Sequence, residues 1–120
     1  MRLSVLHNYR VVEDPTRGPW KVQTTAYYYS LDNDEGTEII AYHWHPQEQF
    51  RLATPHLHLS AGAEVGRDAL ASAHLPTGRV ALEEVLRLAI VDLGAKPNRE
   101  DWAAVLESTQ SAYVQWRTWG

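Results

Sequence analysis

Four of the six histidines in this chain fall in one stretch, Ala41 to Ser60, as the pairs His43-x-His45 and His56-x-His58. Imidazole titrates near neutral pH and is also the commonest neutral metal ligand, so the pairs admit two chemistries. In the first, His56 and His58, with His43 and His45 beside them, act as catalytic acid and base. They take a proton from a ribose 2′-hydroxyl and return one to the leaving 5′-oxygen, while Arg51 or Arg79 binds and neutralises the phosphate of the substrate. In the second, three imidazoles hold a divalent ion and leave one position open, as in catalytic zinc sites. A structural reading stands beside both, in which the rings cap strand ends and satisfy backbone groups. Glu48 is the one carboxylate close in sequence, and the residues alone leave the cofactor unassigned.

The spacing predicts how the pairs are held. Residues two apart on a strand share a face, so each pair presents two rings side by side. The pairs are separated by Pro46 to Pro55, and prolines that cannot donate to a ladder belong at strand ends. Two neighbouring antiparallel strands would bring all four imidazoles to one patch. Alternation puts Ile40, Tyr42 and Trp44 on one face and Ile39, Ala41, His43 and His45 on the other, and opposes Leu57 and Leu59 to His56, His58 and Ser60.

The rest of the chain supplies the frame. Residues 2–12 alternate as a half-buried strand with Leu3, Val5, Tyr9 and Val11 on the apolar side, where His7 is expected as a hydrogen-bonded core residue. Asp14-Pro15 and Gly18-Pro19 mark a loop, and Trp20 to Leu31 is a second strand whose three tyrosines pack across strands. Asp32 to Gly36 reads as a solvated hairpin turn without calcium-loop spacing. Thr37 to His45 is the third strand. Residues 61–66 form a loop, 67–74 resist assignment, and Leu75-Pro76-Thr77-Gly78 reads as a turn.

Two helices close the chain. The first carries the stripe Leu82, Val85, Leu86, Ala89 and Leu93, with Ala81 and Glu84 at its start and Gly94 at its end. The second opens on Asn98 with Asp101 three residues later and carries Trp102, Val105, Leu106, Thr109, Tyr113 and Trp116. It has no basic residue between Arg99 and Arg117, which argues against its being a DNA-reading helix. The expected architecture is α+β, an antiparallel sheet of about four strands covered by two C-terminal helices, in a single domain over residues 1–120.

Composition bounds the function. A net charge of −4 excludes a general polyanion-binding surface, so any RNA contact must be local. The absence of cysteine removes disulfides, thiolate metal sites and a cysteine nucleophile together. No segment reaches the roughly 18 apolar residues of a membrane span, and the first residues lack a leader's apolar run, so a cytoplasmic location is expected.

The two-histidine phosphoesterase pattern requires H-x-[ST] twice, and His58-Leu59-Ser60 supplies it once. Ala41-Tyr42-His43-Trp44-His45-Pro46, then Pro55-His56-Leu57-His58, then a helix after Gly78-Arg79-Val80, resembles the TumE-like toxins of bacterial toxin–antitoxin pairs over residues of about 25–93. The resemblance implies action on RNA, a cognate antitoxin as partner, and site roles at His56 and His58. Where that family tends to end the preceding strand in Arg-Tyr-Asp, this chain has Ala41-Tyr42-His43.

Overall fold

The structure, a computed structural model, describes residues 1–16, 18–46, 54–65 and 73–116. Runs rich in β-branched and aromatic residues form β1 (Arg2–Asp14), β2 (Gly18–Asp32), β3 (Glu38–Trp44) and β4 (His56–Leu59). A 3-10 turn at Ala61–Ala63, β5 (Leu75–Pro76), α1 (Leu82–Val91) and α2 (Trp102–Trp116) follow. The five strands form one sheet in sequence order, and the β2/β3, β3/β4 and β4/β5 ladders are antiparallel. The class is therefore α+β, with one strand more than the sequence suggested. That strand replaces the expected turn at Leu75-Pro76. Proline is tolerated there because β5 is an edge strand, and the Thr77 N–H continues the pairing by donating to the Pro55 carbonyl at 3.0 Å.

Contacts gather into two compact units, one of residues 1–7 and 26–80, the other of residues 8–25 and 81–120. In the first, Tyr27, Tyr29, Leu31 and Trp44 are buried on one face of the sheet. The Tyr27 and Tyr29 rings stack 4.8 Å apart. The Tyr27 hydroxyl accepts the Val80 N–H at 3.1 Å. The β2–β3 turn is organised by Asn33, whose side-chain oxygen accepts the Glu35 and Thr37 N–H groups, and Gly36 takes the positive φ of 82° that the turn requires.

In the second unit α1 contacts α2, with Val85, Ala89 and Leu106 buried. The Glu84 carboxylate accepts the Ala81 N–H at 2.6 Å, one half of a capping box, since alanine has no acceptor to complete the other. Two expectations for α2 are corrected. The helix begins at Trp102, with the Val105 N–H bonded to the Asp101 carbonyl, and the Asp101 carboxylate is taken up by Arg99. Thr109 and Trp116 are exposed, so the buried stripe is narrower than the periodicity predicts. On β1, likewise, Val5, Tyr9 and Val11 are exposed, because alternation defines a face without supplying a cover for it. His7 is exposed too, its ring edge-on to Tyr29 at 6.4 Å, and is not the core residue expected. Among the described residues, no helix is long and apolar enough to cross a membrane.

Candidate metal centre

The register of three ladders builds the site. His43 stands opposite both Tyr28 and His56, and His56 stands opposite Pro76, which places Tyr28, His43 and His56 in one row across the sheet. In the adjacent row Ala41 opposes Ser30 and His58. Directly opposed residues share a face, so both rows look the same way, away from Tyr27, Tyr29 and Trp44. Ring centroids are 4.8 Å apart for His43–His58 and 5.5 Å for both His43–His56 and His45–His56. All four predicted imidazoles therefore converge.

A fifth histidine joins them. His74 immediately precedes β5, and continuing the β4/β5 register places it across from His58, at 4.5 Å between centroids and 5.2 Å from His56. Nitrogens of His43, His45 and His56 lie within 4.8 Å of one another, and so do those of His56, His58 and His74. A tetrahedral ion with bonds of 2.0–2.1 Å sets its ligand nitrogens about 3.4 Å apart, so modest side-chain rotation closes either triad.

His56 belongs to both triads and is the best positioned ring, at 2% exposure. Its Nδ1 lies 2.9 Å from the Thr54 carbonyl. A carbonyl only accepts, so Nδ1 carries the proton and donates, leaving the ring's lone pair on Nε2. Metal-ligating histidines are oriented in this way by a second partner.

A carboxylate that sequence reading missed flanks the rings. Strict alternation puts Glu38 on the Trp44 face. However, the β2/β3 register shifts between Leu31 and Asp32, pairing Asp32 with Glu38 and leaving Ile39 as an extra residue. This bulge returns Glu38 to the histidine face. There it accepts hydrogen bonds from the Tyr28 hydroxyl, at 2.7 Å, and from the Ser60 hydroxyl. Gly62 packs so tightly on the Glu38 backbone that an added Cβ would sit 2.7 Å from its carbonyl oxygen.

Burial above all, then the neighbouring His58, His56 and His45, pushes the His43 imidazole down to about 4, with Glu38 pulling weakly the other way. His58 is pushed down by burial, then by His74 and His56. Burial, followed by the bond to Glu38, raises the Tyr28 hydroxyl. The two shifted imidazoles favour the neutral, lone-pair-bearing form. No family model, curated protein or solved structure matches the chain. The cluster has to be read from its own chemistry.

Of the two arginines expected at a phosphate, only Arg79 falls among the described residues. Arg79 lies over the Trp44 ring, 3.8 Å from its centroid, and Trp44 projects from the face opposite His43. Arg51 lies outside the described residues, as does Glu48.

Proposed function

We propose that this protein binds a late first-row divalent ion, with zinc as the reference case, through His43, His45 and His56. The observation that carries the reading is the His43–His45–His56 triad, three imidazole nitrogens within 4.8 Å, one of them oriented by a backbone carbonyl. Imidazole donors suit zinc, copper and nickel better than calcium or magnesium, which prefer oxygen. Three such ligands leave a position for water, which zinc makes a nucleophile near neutral pH.

Acid–base catalysis by free imidazoles fits this cluster less well. It requires one ring to be protonated at working pH, whereas burial and mutual repulsion oppose that state at His43 and His58. His56, the proposed acid or base, is buried beyond easy reach of a substrate. Cleavage of an RNA phosphodiester, which the toxin-like resemblance implies, would on this reading depend on the metal-bound water.

The test is untagged protein purified without nickel chromatography, titrated with Zn²⁺ and melted with and without EDTA. A folded-state ligand at 100 times its Kd adds about 2.7 kcal/mol, so EDTA is expected to lower the Tm of the loaded protein by several degrees. Replacing His43 and His45 together by Ala should weaken binding at least tenfold. A chelator-insensitive Tm with no bound ion would remove the metal reading, and RNA cleavage that persists in EDTA would restore the acid–base one.

A further inference from the structure

The two triads cannot both be filled in the ordinary way, because they share one donor. His56 is grouped with His43 and His45 in one triad and with His58 and His74 in the other. Its Nδ1 is committed to the Thr54 carbonyl, so only Nε2 can bind a metal, and one lone pair serves one ion. The triads also differ in depth. His43 and His45 are half-buried, whereas the second triad runs from buried His56 through half-buried His58 to exposed His74.

We propose that the five histidines form two alternative seats for a single divalent ion, exchanged about His56, with His58 and His74 as the port through which the ion arrives. The inference rests on the metal reading above. The ion binds first at the exposed seat. His43 and His45 then replace His74 and His58 one nitrogen at a time while His56 stays bound. No bond other than metal–nitrogen bonds is made or broken, and no electron moves. The inner seat holds the ion more tightly because its rings are already withdrawn from water, whereas His74 of the outer seat is exposed. The outer seat governs how fast metal enters and leaves.

Stoichiometry and uptake kinetics test this with Zn²⁺ alone, using equilibrium dialysis and a stopped-flow chelating dye. Wild-type protein should bind one ion per chain. His74→Ala, at an exposed position that tolerates truncation, should still bind one ion with affinity within about threefold of wild type, yet take it up at least tenfold more slowly. The double variant His43→Ala/His45→Ala should retain one weaker, rapidly exchanging ion at the outer seat, and circular dichroism checks that it is folded. Two ions per wild-type chain, unchanged uptake in His74→Ala, or a folded double variant with no ion would each overturn the two-seat proposal while leaving the inner metal site standing. No ion in the wild type would overturn both.

Discussion

Acidifying the metal-free protein should destabilise it, and the histidine cluster sets the pH window. His43 is held at about 4, against an ordinary value of 6.5. Between those values the unfolded chain binds a proton that the folded chain refuses, so stability rises with pH across the interval. The contribution is complete above about 6.5, is lost as the pH falls, and is exhausted near 4. At full strength such a difference corresponds to about 3.4 kcal/mol. His43 is only half-buried, and screening by solvent reduces the expected loss to about 1–2 kcal/mol. His58 acts in the same direction. Asp14 stays silent here: the Thr16 hydroxyl and N–H and Lys21 hold its carboxyl at about 2, so its contribution fades only below the ordinary 3.8. The assay is thermal melting in EDTA at about pH 7.5, 6, 5 and 4, for wild type and His43→Gln. For a chain of this size the loss amounts to a fall in Tm of roughly 3–12 °C, most of it absent in the variant. A wild-type Tm that is flat or rises on acidification, or an equal slope in His43→Gln, would refute the reasoning.

Two further outcomes follow from the geometry. Arg79→Met removes the guanidinium from the Trp44 ring and should cost about 1 kcal/mol in thermal stability while leaving zinc affinity within about twofold, because Trp44 faces away from the histidines. Loss of metal binding in that variant would place Arg79 at the site after all. Gly62→Ala forces a methyl group against the Glu38 carbonyl. Because the obstacle is backbone, a loss of about 1–3 kcal/mol is expected, read as a lower denaturation midpoint, and an unchanged midpoint would contradict the close packing.

Much of this arrangement was legible in local patterns. Period-2 alternation gave the long strands, and two His-x-His pairs joined by one proline-bounded loop implied a shared face because both the spacing and the pleat have period two. The features that escaped depend on pairing. His74 reaches the cluster through the β4/β5 register, and a two-residue strand has no periodicity to announce it. Glu38 reaches the histidine face only because one bulged residue, Ile39, inverts the parity of everything before it in β3. Arg79 was placed with the histidines on charge alone, whereas the Trp44 ring offered it a partner on the other side of the sheet. The exposure of Val5, Tyr9 and Val11 shows that an apolar pattern predicts a face and not its burial.

X-ray absorption at the zinc edge of the loaded wild-type protein reads the ligand set of the site itself. Three imidazole nitrogens at about 2.0–2.1 Å and one oxygen ligand are expected, with a coordination number near four. A shell of oxygens alone, or a zinc that washes out on gel filtration before it can be measured, would contradict the metal reading.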